Sequence, residues 1–428
     1  MKLWEEKNKN RNKKIDEFIV GNDREYDLIL AKHDCDASIA HAKMLGQVNI
    51  ITKNESKKLI KILNEIKIDI KKGEFKIEND FEDMHSKIEF LLIQKLGALG
   101  KKIHTARSRN DQVLVSIQLY IKQELKLIKK DVFTLFNKLI ILAEKYKSSI
   151  FPGYTHMQIA MPSSFGLWFS AYAEILIDDI IMINNALSIS DQNPLGSAAG
   201  YGTSFPIDRN STTKNLGFSD LKYNSLAAQL SRGKIEKQVA TAIGSLASSL
   251  SKLCMDISLY MGQDFNFISF PESFTTGSSI MPHKKNPDIF ELIRGKCNLL
   301  QGLSNQISLL TNNLPSGYHR EMQLTKGPLI ESINDIKSCL ELLIISINKI
   351  QIKKNIIDDP KYDYLFTVDT LNKWVENGMP FRDAYNKMKL EIKNKKYQPN
   401  KKLTHTHIGS IGNLKLESIK LKMEKHFK

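Results

Sequence analysis

The sequence predicts an all-α protein with a central bundle of long helices. Five long segments carry apolar residues at the spacing of a helix, and few runs show the alternation that is typical of β-strands. The first segment extends from Asp111 to Phe151 without a glycine or a proline. At about 1.5 Å per residue it would form a helix of about 60 Å. Because a compact domain of this size is narrower, we expect the bundle to extend beyond one subunit.

The spacing of apolar residues also gives the limits of the five helices. In the first, apolar residues recur at steps of three and four from Val113 onwards. Pro162 would occupy the first turn of the second, where proline is favoured, and the third would tolerate Gly233 and Gly244. The predicted limits are 111–151, 162–190, 226–262, 288–312 and 322–350.

We expect three domains, because 428 residues exceed the size at which a single core stops growing. Breaks near Asp111 and near 360–364 give an N-terminal helical domain (1–111), a central long-helix bundle domain (112–361) and a small C-terminal helical domain (362–428). In the last of these, the basic tail 420–428 is interpreted as the end of an amphipathic helix.

Charge and cysteine usage favour a cytoplasmic protein without a nucleic-acid or membrane partner. The net charge is +15, but lysines are scattered along the whole chain and outnumber arginines, whereas nucleic-acid reading favours clustered arginine. The four cysteines are far apart and form no metal-ligand pattern. The charged start, Met1 to Lys14, lacks the apolar core of a signal peptide, and no stretch reaches the roughly 18 to 20 apolar residues of a membrane span.

The loop Gly277–Pro287 is the segment with the clearest chemistry. It contains two serine hydroxyls, two lysine ammonium groups and the carboxamide of Asn286. Gly277 allows a sharp bend, while Pro282 and Pro287 stop helix propagation. Such a composition is more often a solvated turn, but a serine beside fixed cations is suited to removing a proton from a carboxylate substrate.

The order of residues in this loop resembles the signature loop of the fumarase/aspartase superfamily, and Lys284 to Asp288 has the form found in argininosuccinate lyases. Three further segments resemble that family in the same order and at comparable spacing: His104–Asp111, Phe151–Gln158 and Tyr318–Lys326. The similarity begins at Leu3-Trp4 and continues to His405–Gly412, so it covers essentially the whole chain.

This resemblance implies a three-domain fold with a central long-helix bundle, and a homotetramer whose active sites are each assembled from three subunits. It also implies the elimination of fumarate from the small molecule argininosuccinate to give arginine, with no metal and no cofactor. His405 and His407 are a weak metal-ligand pattern, because they lie two residues apart in a glycine-rich turn without a nearby carboxylate cluster.

The resemblance assigns four residues to the chemistry. Ser278 matches the catalytic serine, acting as a base in its alkoxide form, and His156 matches the partner that gives a proton to the leaving guanidinium nitrogen. Which of the two is acid and which is base stays open. Lys284 matches a cation that stabilises developing negative charge. Glu291 matches the carboxylate that pairs with His156, although an acid in a first helical turn is also favourable by itself.

Ten residues match the family's substrate-binding set, around the substrate's carboxylates or on the segment that holds its arginine half. They are Ser38, Ser108, Arg109, Asn110, Thr155, Asn286, Tyr318, Arg320, Gln323 and Lys326. Ser38 depends on similarity alone, because a serine on a helix face is common. Arg320 replaces the family's usual lysine and His283 replaces a frequent glutamine, while we expect Arg107 to be structural.

Two other functions fit the same fold. Adenylosuccinate lyase shares the elimination chemistry. It is disfavoured by the residues of three segments, 104–111, 284–288 and 318–326. In addition, a purine nucleotide would need a larger phosphate-binding site. A non-catalytic protein of the lens-crystallin type would not need the four residues Ser278, His156, Lys284 and Glu291 together.

Overall fold

In the computed structural model, which describes residues 12–427, α-helices make up most of the chain. The helices are α1 (Lys13–Val20), α2 (Asp23–Gln47), α3 (Lys53–Lys72), α4 (Met84–Leu96), α5 (Ala98–Lys101), α6 (Arg109–Lys145), α7 (Phe165–Ser190) and α8 (Arg209–Leu216). They continue with α9 (Ser225–Leu230), α10 (Lys234–Met261), α11 (Asp288–Leu300), α12 (Leu303–Thr311), α13 (Lys326–Ile347), α14 (Thr367–Glu376), α15 (Phe381–Lys393) and α16 (Leu416–Phe427). The similarity noted at Leu3-Trp4 lies outside the described residues.

The strands are short, and the prediction of an all-α fold is confirmed. They are β1 (Ile150–Thr155), β2 (Gln158–Ser164), β3 (Gln192–Asn193), β4 (Asp220–Leu221), β5 (Ile268–Ser269) and β6 (Gln351–Ile352). β1 pairs with β2 and β5 with β6 in antiparallel fashion, while β3 and β4 are parallel. Each sheet between residues 12 and 427 has only two strands, so helices supply the core.

The first long helix ends earlier than the sequence predicted. α6 begins at Arg109 and ends at Lys145. The expectation that it continues to Phe151 was wrong, because Phe151 belongs to β1. There it pairs with Ser163 of β2 and stacks on Phe165, with 4.2 Å between the ring centroids. Strand pairing and aromatic packing therefore decide the conformation of a segment whose local pattern is helical.

Pro162 lies in a strand and not in the first turn of a helix. It pairs with Pro152 across the β1–β2 hairpin, where neither residue has an N–H group to donate. Helix α7 begins at Phe165, and Ser164 Oγ accepts the N–H of Leu167 at 3.0 Å, as an N-cap serine does. The predicted end of this helix at Ser190 is confirmed.

Gly233 separates α9 from α10, which the sequence predicted as one helix. Its φ is +78°, a left-handed value, and a Cβ added there would lie 2.6 Å from Thr311 Cγ2. Gly244 is tolerated inside α10 as predicted, because a Cβ there would meet no atom closer than 3.5 Å. The fourth predicted helix is also divided, by a break at 301–302, whereas the fifth begins later than predicted, because Arg320–Thr325 form a 3₁₀ turn before α13.

The chain forms two compact units, each assembled from three separate stretches. The first unit contains the residues up to Ile128, Met182–Ser245 and Leu299–Ile336. The second unit contains Lys129–Ile181, Leu246–Asn298 and the residues from Lys337 onwards. The division into three domains at 111 and 361 stays a prediction.

Asp111 holds the segment that precedes α6 in the first unit. Its carboxylate is fully buried; Oδ1 accepts the N–H of Ser108 at 3.0 Å, and Oδ2 accepts the N–H groups of Gly196 at 2.9 Å and Ala198 at 3.0 Å. Burial raises the pKa of Asp111, although these N–H groups favour its charged form. Residues 108–111 are thereby fixed to the 196–198 loop.

The C-terminal residues form the amphipathic helix that the sequence predicted. α16 buries Leu416, Ile419 and Met423, and the ring of Phe427 stacks on Phe133 with 4.1 Å between centroids. Over residues 12–427, no helix combines the length and the apolar character that a membrane crossing requires.

Replacing Gly233 should destabilise the first unit more than replacing a glycine of similar φ that has no neighbouring atoms where a Cβ would be added. Gly233→Ala imposes a left-handed φ on an alanine, at about 1–2 kcal/mol, and pushes on Thr311, whose hydroxyl is held by Ile307 O at 2.9 Å. Gly73→Ala is the control, because its φ is +76° and no atom lies within 4 Å of the added Cβ. In thermal unfolding we expect the larger loss for Gly233→Ala, by about 1 kcal/mol or more; equal losses would contradict the steric argument.

Candidate active site

The signature loop is fixed at its base by a pair of backbone hydrogen bonds. The N–H of Thr276 donates to Asn286 O at 3.2 Å, and the N–H of Asn286 donates to Thr276 O at 2.8 Å. The side chain of Asn286 adds a contact of 3.4 Å to Gly277 O, and the Thr276 hydroxyl donates to Asp288. Residues 277–285 thus project as a loop from a fixed base at the start of α11.

Ser278 lies in this loop with its hydroxyl oxygen facing two backbone donors. Its Oγ accepts the N–H of Met281 at 3.2 Å and the N–H of Ile280 at 3.4 Å. N–H groups directed at an oxygen favour the negatively charged form of that oxygen. The local geometry therefore suits a serine that carries negative charge during the reaction.

Lys284 lies within the loop and Glu291 follows it in sequence, and both residues are exposed. The backbone N–H of Lys284 donates to Met281 O at 3.0 Å, and the neighbouring Lys285 forms an ion pair with Glu272 at 3.0 Å. Glu291 lies in the first turn of α11. Within the described part of the chain, Glu291 makes no ion pair with His156, so their proposed pairing stays a prediction.

His156 and Thr155 lie at the tip of the β1–β2 hairpin in the second unit. Thr155 pairs with Gln158, which leaves His156 and Met157 as the two turn residues, with φ values of +53° and +60°. Positive φ at both turn residues matches the twist of a tight hairpin but is uncommon for side chains of this size. The hairpin holds the imidazole in an exposed position on a strained turn.

The remaining candidates lie mainly around one cavity of the first unit, with a volume of about 130 Å³. Six predicted substrate-binding residues line it: Arg109, Asn110, Tyr318, Arg320, Gln323 and Lys326. They come from the start of α6 and from the segment 318–326, which contains the 3₁₀ turn and the first residue of α13. The structure therefore brings together two sequence segments that are about two hundred residues apart.

Glu82 joins the two predicted arginines of this cavity. Arg109 Nη1 donates to Glu82 Oε2 at 2.8 Å and Arg320 Nη1 donates to Glu82 Oε1 at 3.1 Å. Arg109 also donates to Ser86 Oγ at 2.6 Å. Burial alone would raise the pKa of Glu82, but attraction to Arg109 and Arg320 outweighs it and holds that pKa below its usual range.

Lys326 is buried between two carboxylates. Its Nζ lies 2.8 Å from Asp23 Oδ2 and 2.7 Å from Asp27 Oδ1. Burial lowers the pKa of Lys326, but attraction to Asp27 and Asp23 outweighs burial and raises it. Burial also raises the pKa of Asp23 despite this pairing.

Ser38 and Ser108 do not line the cavity. Ser38 is only 1% exposed, and its Oγ accepts a hydrogen bond from Arg107 Nη1 at 2.9 Å. Ser108 Oγ accepts the N–H of Asn110 at 3.3 Å at the start of α6. Their roles in substrate binding stay predictions, and Arg107 makes the internal contact expected of a structural residue.

Comparison with known proteins identifies the family. A family model described as lyase matches residues 8–302. The argininosuccinate lyase of Phocaeicola vulgatus is 51% identical over 96% of this chain and 92% of its own length, and that of Thermotoga neapolitana is 39% identical over 90% and 96%. The chain belongs to the argininosuccinate lyase family.

Solved structures of more distant proteins share the fold. EDDS lyase in complex with formate has a TM-score of 0.78 at 20% identity, covering 92% of this chain and 85% of its own. Class II fumarase from Schistosoma mansoni has a TM-score of 0.74 at 16% identity, covering 95% and 91%. At this level of identity the likeness shows the fold alone.

The sequence reasoning missed six charged or titratable residues that line the cavity of this argininosuccinate lyase family member. They are Asp23, Asp27, Glu82, Asp83, His85 and Arg232. Two of them, Glu82 and Asp83, form an acidic pair just before α4, which is a local signal that could have been noticed. The others have no local signal, because single acids, histidines and arginines on or beside helices are common.

His85 forms a buried ion pair beside the cavity. Its Nδ1 lies 2.9 Å from Asp34 Oδ1, and its Nε2 has no hydrogen-bond partner among the described residues. Burial lowers the pKa of His85, but attraction to Asp34 and other carboxylates outweighs burial and raises it above its ordinary value.

The two histidines that were considered as metal ligands, His405 and His407, have hydrogen-bond partners within the protein. His405 Nε2 lies 2.6 Å from Asp369 Oδ1, and His407 Nδ1 lies 3.1 Å from Ile408 O. Among residues 12–427 there is no group of three His, Cys, Asp or Glu side chains that could hold a metal ion.

The His85–Asp34 pair should make stability depend on pH above neutrality. Because the folded-state pKa of His85 is raised, its stabilisation is complete below about pH 6.5 and is lost as the pH rises through the folded-state pKa. The difference in unfolding free energy between wild type and His85→Asn should therefore shrink from pH 6.5 to pH 9, roughly. Urea denaturation at fixed protein concentration measures it.

His33→Asn is a control in which the expected dependence of stability on pH has the opposite sign. Burial lowers the pKa of His33 to about 4, so the folded state resists its protonation. Wild type should lose stability relative to His33→Asn as the pH falls from about 6.5 to about 4. A pH-independent difference for His85→Asn would show that the imidazole is not charged in the folded protein.

Proposed function

We propose that this protein is an argininosuccinate lyase, which eliminates fumarate reversibly from argininosuccinate and so releases arginine, the last step of arginine biosynthesis. The observation that carries the proposal is Ser278 Oγ under two backbone N–H groups, in a loop that also presents Lys284 and Asn286. The level of identity to argininosuccinate lyases along nearly the whole chain supports the substrate.

The elimination begins with removal of a proton from the carbon beside a carboxylate of the succinyl half. The resulting carbanion places a second negative charge on that carboxylate, and this is the high-energy species that catalysis must stabilise. We assign the base to the Ser278 alkoxide, because its two N–H donors lower the cost of the negative charge on Oγ. Lys284 and Asn286, from the same loop, stabilise the charged carboxylate.

Departure of the guanidino group requires a proton on its nitrogen. We assign this proton to His156, an imidazole that lies exposed at the hairpin tip and can donate a proton from a ring nitrogen. Thr155 beside it is proposed to contact the substrate. Glu291 is proposed to pair with the imidazole and to select its tautomer in the assembled enzyme.

The arginine half is proposed to occupy the cavity of the first unit. Tyr318, Gln323 and Lys326 line this cavity, as do Arg109 and Asn110 at the start of α6. Arg320 in place of the family's usual lysine retains a positive charge there, held by Glu82. We expect this departure to preserve activity.

We propose a cytoplasmic homotetramer in which several copies contribute to each active site. Leu292 and Leu299 on α11 are 68% and 81% exposed and lie seven residues apart, hence on one face of the helix. Exposed apolar faces of this kind are typical of subunit interfaces. All four cysteines are free and buried, which suits a reducing compartment.

Absorbance of fumarate tests the proposal directly. Purified protein should release fumarate from argininosuccinate, and it should leave adenylosuccinate unchanged in a parallel reaction. Turnover of adenylosuccinate alone would overturn the assignment of argininosuccinate as the substrate. Inactivity on both would favour a non-catalytic protein of this fold.

Ser278→Ala should lower kcat by about 10³-fold or more while leaving the affinity for arginine and argininosuccinate largely unchanged, because general bases contribute about 10² to 10⁴. Ser279→Ala is the matched control, since this hydroxyl lies in the same exposed loop but next to the proposed base. We expect near wild-type kcat for the control. Wild-type kcat in Ser278→Ala would refute the assignment of the base.

Mixing two inactive variants should restore activity if copies share active sites. Ser278→Ala and His156→Asn, unfolded together and refolded as mixed oligomers, should regain turnover, because some sites would receive each intact residue from a different copy. Ser278→Ala mixed with Lys284→Met is the control. These two residues lie on one loop, so no mixture can supply both intact. Mixed oligomers without activity in the first pair would contradict shared sites.

A further inference from the structure

A cavity of about 430 Å³ lies in the second unit, and the proposed mechanism does not use it. The β1–β2 hairpin contributes Tyr154 and residues 157–159 to its lining. The other lining residues come from 264–265, which follow α10, and from 361–364. Because residue 157 directly follows His156, a molecule bound in this second-unit cavity would contact the hairpin tip that carries the proposed acid.

Aromatic rings supply much of the lining of the second-unit cavity. Tyr154 meets Phe265 edge to face, with 5.3 Å between the ring centroids, and the Tyr154 hydroxyl donates to the Tyr362 hydroxyl. The fourth ring, that of Tyr364, is half-exposed and stacks on Tyr397 with 6.1 Å between centroids. The faces of such rings carry partial negative charge and attract cations.

The charged residues of this cavity also favour a cation. Lys361 Nζ already lies over the ring of Tyr362, 4.9 Å from its centroid, and its charge is compensated by Asp359 at 3.4 Å. Asp264 is exposed and forms no ion pair with any residue between 12 and 427. When these groups are ionised, one negative charge is therefore left uncompensated beside the aromatic rings.

We propose that the second-unit cavity binds the guanidinium group of free L-arginine, and that the bound arginine restrains the hairpin tip. A planar guanidinium can stack on the tyrosine rings while it pairs with the carboxylate of Asp264. The volume lies within the range of small-molecule pockets, roughly 300 to 1,000 Å³. The choice of arginine rests on the proposed function, because arginine is the guanidinium compound which that reaction releases. The cavity is thus a regulatory site for the product.

Arginine should inhibit turnover even when argininosuccinate is saturating. The hairpin tip has to bring His156 to the leaving nitrogen, and a ligand that contacts Met157 and Gln158 opposes this movement. We expect kcat itself to fall as arginine is added, whereas arginine that only competed for the active site would be displaced by substrate. Inhibition that saturating argininosuccinate removes completely would overturn the regulatory role.

Two exposed residues of the cavity locate the source of this inhibition. Asp264→Asn and Tyr364→Leu should each weaken inhibition by arginine about 3-fold, and the double variant about 10-fold, while the basal kcat stays unchanged. Asp178→Asn is the matched control, because this exposed carboxylate of α7 belongs to the same unit and does not line the cavity. Wild-type inhibition in the double variant, or the same loss in Asp178→Asn, would contradict the site.

L-Citrulline is a matched control among ligands. It has nearly the shape of arginine but carries a neutral ureido group, so it cannot pair with Asp264 or bind the rings as a cation. We expect its inhibition of wild type at saturating argininosuccinate to be at least about 10-fold weaker than that by arginine. Equal inhibition by the two compounds would overturn the charge argument, and this comparison does not depend on the folding of any variant.

Calorimetry with L-arginine distinguishes failure of this inference from failure of the proposed function. Wild type should bind arginine in two classes of site, of which the double variant Asp264→Asn with Tyr364→Leu should lose one. If wild type released no fumarate from argininosuccinate, the proposed function would fail, while loss of arginine binding in the double variant would still support the second-unit cavity. Identical arginine binding in the two proteins, or none in wild type, would overturn the inference.

Discussion

The buried carboxylate of Asp111 is the interaction on which the first-unit site depends. It accepts three backbone N–H groups, one from its own segment and two from the 196–198 loop, at 2.9 to 3.0 Å. Without it these donors would be buried and unpaired, which is costly for backbone groups. Because residues 108–111 are held here, Arg109 and Asn110 enter the cavity at the start of α6 in a fixed orientation. Preorganisation of this kind spares the enzyme the cost of ordering these side chains when substrate binds.

Charge in the cavity is distributed so that most cations are compensated before a ligand enters. Glu82 holds Arg109 and Arg320, and Asp23 with Asp27 holds Lys326. The compensation prevents mutual repulsion of these cations in a confined volume, where charges interact more strongly than in water. Because these cations are paired, they are also less available to bind other anions. Arg232 donates to Met322 O, and its positive charge favours the ionised forms of Asp23 and Glu236.

The residues proposed for the chemistry are held differently from those proposed for binding. Ser278 and Lys284 lie on a loop fixed only at its base, and His156 lies on a hairpin tip with positive φ. Loops of this kind can close over a substrate at small cost, whereas binding residues on helices keep their positions. The residues proposed for binding therefore lie on preformed walls, whereas those proposed for the chemistry lie on exposed segments.

The sequence by itself determined the all-α class and the signature loop with Ser278 and Lys284. Helical spacing and an ordered loop motif are local signals, and each is legible without knowledge of distant contacts. It also indicated six of the residues that line the cavity, from Arg109 to Lys326. Only the tertiary structure decided the rest. Phe151 and Pro162 form a hairpin through strand pairing and ring stacking, and Gly233 ends a helix where Thr311 leaves no room. Asp23, Glu82 and Arg232 line one cavity because folding brings them together, and contacts between residues so distant in sequence leave no local pattern to detect.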